Sequence, residues 1–443
     1  SKKKLYIRFI FIIILSLLFY GYYNPALILL LIFSKLINFL FSLLSLRLFN
    51  SFYLAIIIIF NLLLLFYFKY SYFFISEIIQ SRSLIDHNFF WQYGLPIGIS
   101  FYTFQQIAFQ VDLYQKKIKS PNFFEYFAYV SFFPQLIAGP IVKYQYFINQ
   151  IYNKFFLRLN IENFSIGLCI FGIGLFKKII MADSLSHYVN LTYDNCFEVE
   201  CARTDFFTTT FLYSFQIYFD FSAYSDMAIG VAKILGVNLP INFDSPYKSR
   251  SLIDFWRRWH ITLSNFLRDY LYIQLGGNKV KHNIYKYRNI LITMIIGGVW
   301  HGAGFNFIFW GLIHGIGLCI NHFFRNYLII NINHYFSVLL TFIFVSFTWI
   351  FFRAESLEES IFFINKIFNS HETASYIYRT DNIINWLPLT ILSIVIIFLL
   401  PNTNKIVTKY LREIWYLKYF FVLILIFAIV NINRAKKFIY YEF

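Results

Sequence analysis

Apolar residues run along this chain in blocks of about 15–25, separated by short stretches rich in Lys, Asn and Ser. The blocks fall near residues 5–23, 27–46, 52–68, 91–110, 126–148, 164–182, 205–235, 288–303, 304–322, 334–352, 383–400 and 417–432. As helix, each is long enough to cross or enter a hydrocarbon core roughly 30 Å thick. Lipid offers no partner to a backbone N–H or C=O, so an apolar chain of this kind crosses as helices. The pattern predicts an all-α polytopic membrane protein of roughly 11–12 spans, some of them re-entrant. No Pro/Gly/Ser-rich linker divides residues 1–443, which predicts one membrane-embedded domain, and inverted repeats of the transporter kind are not visible.

Two stretches depart from this rhythm. Residues 184–204, SLSHYVNLTYDNCFEVECART, form a polar loop long enough for an external crossover. Residues 238–287 are amphipathic: Leu252, Phe255, Trp256, Trp259, Leu263, Phe266 and Tyr270 recur at three- and four-residue spacing. Asp254, Arg257, Arg258, Arg268 and Asp269 take the rest of the wheel, and Gly276-Gly277 marks the stop. This predicts one amphipathic helix lying at the membrane surface or dipping into it.

Composition narrows the class further. The chain is 59% hydrophobic and 14% charged, with mean hydropathy +0.59. Soluble domains average about 25% charged, so a water-soluble enzyme, a disordered chain and a repeat solenoid are excluded. The net charge of +16 lies mostly between apolar blocks, where it sets topology and meets anionic lipid headgroups rather than nucleic acid. Ser1-Lys-Lys-Lys runs into an apolar stretch with no small-residue cleavage site, which predicts no cleavable signal. Cys169, Cys196, Cys201 and Cys319 make no metal pattern. Cys196 and Cys201 are placed to bond if their loop faces an oxidising compartment, and to remain thiols if it does not.

The strongest chemical signal is GGVWHGAGFNFIFWGLIHG, residues 297–315. It sets His301 and His314 in an apolar run, where an ionisable side chain is costly and faces a cavity or a partner. Trp300 and the surrounding glycines favour a functional His301, whereas His314 divides evenly between function and packing. His260, in WRRWH, taken alone reads as part of an interfacial aromatic and basic belt. Asp220 and Asp226, in FDFSAYSDMAIG, are either cation or proton sites or partners for arginines of the amphipathic helix, with the second preferred. Walker A, dinucleotide, His-Glu-x-x-His and nucleophile-elbow patterns are missing.

Five runs together resemble the membrane-bound O-acyltransferase family, in the bacterial branch of alginate and peptidoglycan O-acetylation membrane subunits. They are GISFYTFQQIAFQVDLY (98–114), FFPQLIAGPI (132–141), QIYFDFSAYSDMAIG (216–230), SPYKSRSLIDFWRRWHITLSNFLRDYLYIQLGGN (245–278) and GGVWHGAGFNFIFWGLIHG (297–315). The D-alanyl transfer subunit of teichoic acid systems is a more distant match. The resemblance implies that His301 is the family's membrane histidine and that the second, variable polar partner falls at His260. GYYNPALILLL resembles the end of the family's second helix, so the chain starts one span late.

The implied activity takes acetyl from cytoplasmic acetyl-CoA and passes it across a bacterial inner membrane to a cell-envelope polysaccharide. A secreted Ser-His-Asp (SGNH-type) O-acetyltransferase is the implied partner. An imidazole of ordinary pKa about 6.5 suits a base near neutral pH, and an apolar site keeps it neutral and dry. His301 is therefore expected as general base and His260 as the group that orients the reactants, with no metal. Arg257, Arg258, Lys279 and Lys281 are placed to hold the phosphates of coenzyme A or lipid headgroups. A transporter or flippase of an acyl donor or polyol is the competing class, opposed by the missing repeat.

Residues 434–443, RAKKFIYYEF, end in aromatic rather than polar residues. Basic residues divide Lys405, Lys409, Arg412 and Lys418 before the last block from Arg434, Lys436 and Lys437 after it, which favours an outer tail. Similar tails end members of the acetylating branch, which implies Tyr440 as the hydroxyl that receives acetyl from outside. The other reading is an interfacial aromatic anchor.

Overall fold

The computed structural model describes residues 2–48, 50–79, 95–118, 121–153, 156–157, 160–196, 201–327, 333–369, 380–410, 414 and 416–439. Helices dominate these residues, and no strand occurs among them. The protein is an all-α, multi-pass membrane protein. Among the described residues six helices are long and apolar enough to cross: Leu5–Tyr22, Ala26–Leu48, Ser51–Ile79, Ile161–Asn195, Phe305–Arg325 and His334–Arg353. A seventh is made if Trp386–Leu399 and Thr403–Lys409, bent by 67°, count as one span. Other apolar blocks of the sequence fall in shorter or more polar helices. The 417–432 block is helix Leu417–Val430, and the 126–148 block is split among Phe123–Ser131, Phe133–Leu136 and Tyr144–Tyr152.

The chain packs into two compact units, Ser1–Gly167 with Ala228–Pro240, and Leu168–Met227 with Ile241–Phe443. In the first, a seam of polar side chains joins apolar helices. Asn38 and Asn61 exchange amide hydrogen bonds of 3.1 and 2.8 Å, and the Gln110 amide donates to the Asn38 carbonyl at 2.6 Å. Lys35 is fully buried, donates to Ser131 Oγ at 2.6 Å and lies 4.8 Å from the Phe127 ring. Such bonds join helices where the lipid leaves little hydrophobic drive between them.

The second unit carries the candidate chemistry. Helices Asn283–His301 and Phe305–Tyr327 meet backbone to backbone. A Cβ at Gly298 would stand 2.3 Å from the Phe307 carbonyl oxygen, and one at Gly311 2.4 Å from that of Met294. Only glycine fits either place, which is the physical reason for the glycine-rich run.

Cys196 and Cys201 are disulfide-bonded, with Cα atoms 5.4 Å apart, so the bonded alternative holds. Disulfides persist in oxidising compartments. On intact cells, a membrane-impermeant reductant followed by an impermeant maleimide is expected to label these thiols. Labelling that requires permeabilised cells would put the bond on the cytoplasmic side; it lies past helix Asp183–Asn195, so most of the stretch expected as a polar loop at 184–204 is helix.

Candidate active site

The amphipathic stretch is not one helix. It breaks into Leu252–Arg258 and Ile261–Leu267, with a π-turn at Arg268–Tyr272, and closes at Gly276 and Gly277, both at positive φ. The break is at His260, whose φ of 42° and ψ of 54° are left-handed. A non-glycine residue there is strained and is held by its surroundings. The holder is Asn242: its backbone carbonyl accepts from Ile261 N–H at 3.0 Å, and its side-chain Oδ1 accepts from Thr262 N–H at 3.2 Å and Thr262 Oγ1 at 2.9 Å. The same Oδ1 lies 3.1 Å from His260 Nδ1. Because Thr262 N–H fixes this oxygen as acceptor, Nδ1 carries the His260 proton and Nε2 the lone pair. Burial pushes the imidazole pKa down to about 3, so the ring is neutral at any cellular pH.

His301 is the last residue of its helix and is 2% exposed. Its ring is boxed by Trp300, Trp310 and Phe352, with centroids 5.0, 5.0 and 5.1 Å away. Trp300 also lies 6.2 Å from the His260 ring, so the two histidines share one indole as a neighbour. Trp310 likewise lies 4.8 Å from His314. His314 has both ring nitrogens engaged: the Trp256 indole N–H donates to Nδ1 at 3.3 Å, and Nε2 lies 2.9 Å from Thr348 Oγ1. That pairing is what a packed, hydrogen-bonded histidine makes.

A cleft of about 260 Å³ opens in the same unit, lined by Trp256, Tyr272, Thr293, Met294 and Leu318, with Arg257, Ser264, Arg268, Asn278 and His322 among its polar groups. Its volume is at the lower edge for small-molecule sites. Met294 lines it seven residues before His301 on one helix, roughly 10 Å along the axis. Of the basic residues picked from sequence, Arg257 lines this cleft and, among the described residues, has no salt-bridge partner. Arg258 instead pairs with Asp254 at 2.9 Å, and Lys279 is exposed beyond the glycine turn. Tyr440 lies outside the described residues.

Asp220 and Asp226 do pair, but with lysines rather than with the amphipathic arginines. Lys177 meets Asp226 at 2.7 Å, and Lys178 meets Asp220 at 2.8 Å and Asp183 at 2.7 Å. The signal for these lysines was in the sequence, as Lys177-Lys178 standing inside an apolar block. Arg268 and Asn242 were also missed as site residues, since nothing in their local spacing sets them apart.

The sequence model of the membrane-bound O-acyltransferase family matches residues 17–351. A peptidoglycan O-acetyltransferase of Helicobacter pylori is 39% identical over 403 residues, covering 82% of this chain and 73% of that protein. A probable alginate O-acetylase of Pseudomonas aeruginosa is 38% identical over 310 residues, 68% of this chain and 57% of that protein. A teichoic acid D-alanyltransferase of Streptococcus thermophilus is 29% identical over 241 residues, 51% of this chain and 56% of that protein. The chain thus spans little more than half the length of the last two.

Proposed function

The chain belongs to the membrane-bound O-acyltransferase family, and from that premise we propose that it is an O-acetyltransferase of the bacterial cytoplasmic membrane. It takes acetyl from acetyl-CoA and delivers it outward for O-acetylation of an envelope polysaccharide, through a secreted Ser-His-Asp-type transferase. The observation that carries this reading is the aromatic box around His301, which shares Trp300 with a second, neutral histidine. The relatives named for peptidoglycan and alginate O-acetylation favour acetyl over D-alanyl.

In this mechanism His301 takes the proton of the attacking hydroxyl. The hydroxyl oxygen bonds to the thioester carbonyl carbon, the C–S bond breaks, and the departing thiolate takes the proton back from His301. The dry aromatic box keeps water from competing for the thioester. His260, with its lone pair on Nε2, orients a hydroxyl or holds a proton nearby. The cleft suits a slim thioester arm, leaving Arg257 for phosphate groups at its edge, beside an Arg268 that is paired with Asp269 at 2.8 Å. Arg258 and Lys279 serve the donor from farther out.

The first acceptor is the Tyr440 hydroxyl, whose acetyl ester is then attacked by the partner's serine. That explains how acetyl crosses while coenzyme A stays inside.

The test is a single round of thioester cleavage by purified protein, which loads Tyr440 and stops where no acceptor is supplied. Incubation with acetyl-CoA is expected to release free thiol, and His260→Ala is expected to lower the rate by about 10–100-fold, as loss of an orienting group does. Substrate flux into vesicles without thioester cleavage would make the protein a transporter instead.

A further inference from the structure

The second unit holds a buried charge cluster that the chemistry above does not use. Lys177–Ala182 is a π-turn, and the Asp183 N–H closes it by bonding to the Lys178 carbonyl, five residues back. In an α-helix residues five apart diverge by roughly 140°. The wider turn sets Asp183 above Lys178 instead, and their side chains meet at 2.7 Å. Lys178 Nζ also donates to Asp220 Oδ1 at 2.8 Å.

What completes the cluster is the main chain of residues 436–439. The third proton of the Lys178 ammonium goes to the Lys437 carbonyl at 3.0 Å. Each carboxylate turns its second oxygen to a tail amide: Lys436 N–H donates to Asp183 Oδ2 at 3.0 Å, and Ile439 N–H to Asp220 Oδ2 at 2.9 Å. The Phe438 ring lies 4.3 Å from the Lys178 ammonium and 5.3 Å, edge-on, from Tyr224. The Lys436 ammonium donates to Ser186 Oγ at 2.9 Å. One lysine and two aspartates sum to a single negative charge, which suits amide donors and a basic segment. Without that segment, two buried carboxylate oxygens and an ammonium proton lose these partners, an expensive state in a low-dielectric interior.

We propose that Lys178, Asp183 and Asp220 form a seat that binds the 436–439 backbone and fixes the reach of the residues after it. The seat reads main-chain groups and one aromatic ring. Its three charged residues are therefore positioning residues. Its relevance to transfer rests on the reading of Tyr440 above, but its existence does not.

Trypsin tests the seat on the detergent-solubilised full chain, because Arg434, Lys436 and Lys437 are cleavage sites. Cleavage after Lys436 and Lys437 is expected to be at least about 10-fold slower than in a synthetic RAKKFIYYEF peptide in the same detergent, because a backbone held by hydrogen bonds must open first. Asp220→Asn is expected to abolish that protection while internal cleavage stays slow. Phe438→Ala, which leaves the cluster intact, is expected to weaken it several-fold, and it decides the matter should Asp220→Asn fail to fold. Wild-type cleavage as fast as the free peptide overturns the seat, as does protection indifferent to Phe438→Ala. Because proteolysis does not read acetylation, an active Tyr440→Phe would defeat the relay and leave the seat standing.

Discussion

Replacing His301 with Ala is expected to lower acetyl transfer by about 10³-fold or more, measured both as thiol release by purified protein and as polymer O-acetylation in cells. A positioned base contributes roughly 10²–10⁴ in rate, and an alanine methyl cannot accept a proton. The box itself should survive. Trp310 stacks on Trp349 at 5.7 Å, and the Trp349 indole N–H donates to Tyr247 Oη at 3.1 Å, so its wall is tied from behind. His301→Gln serves as the shape control, since it fills the space with an amide that cannot accept a proton at neutral pH. Equal loss in both variants, with thermal midpoints within a few degrees of wild type in detergent, identifies proton transfer as what was removed. Retention of most polymer acetylation by either one excludes His301 as the base.

The parts of this site that were legible in the sequence are those set by local pattern. The glycine run leaves room for close helix approach, and a Cβ at Gly298 or Gly311 would meet backbone atoms across the contact. The apolar setting of His301 predicted a cavity or a partner, and the neighbours that its ring meets are the aromatic Trp300, Trp310 and Phe352. Periodicity could not reveal the break at His260, because apolar residues keep helical spacing through it. The left-handed residue is imposed by Asn242, 18 positions away. Distance in sequence also hid the partners of the aspartates: Lys178 and Asp220 are 42 residues apart, Lys177 and Asp226 are 49. By contrast, the Asp254–Arg258 pair has i,i+4 spacing and could have been read from the sequence as a local ion pair.

Tyr440→Phe is expected to reduce polymer acetylation by about 100-fold or more, because it removes the one oxygen that the relay uses as nucleophile. The substitution keeps the ring, its area and its affinity for a membrane interface, so an anchoring tail would not notice it. The preceding residues give the relay its physical support. Residues 436–439 are fixed at three main-chain atoms, which leaves Tyr440 one residue beyond an anchored amide at Ile439. A covalent readout separates this from indirect effects. After incubation with acetyl-CoA and then denaturation, which opens the seat, trypsin should release the wild-type fragment that begins at Phe438 carrying one acetyl group. The ester should be cleaved by hydroxylamine, as acyl-tyrosines are and amides are not. His301→Gln should leave the fragment unmodified, Tyr440→Phe should do the same, and Tyr441→Phe should acquire the group normally. Wild-type polymer acetylation by Tyr440→Phe would end the relay at this residue and return the tail to the role of anchor.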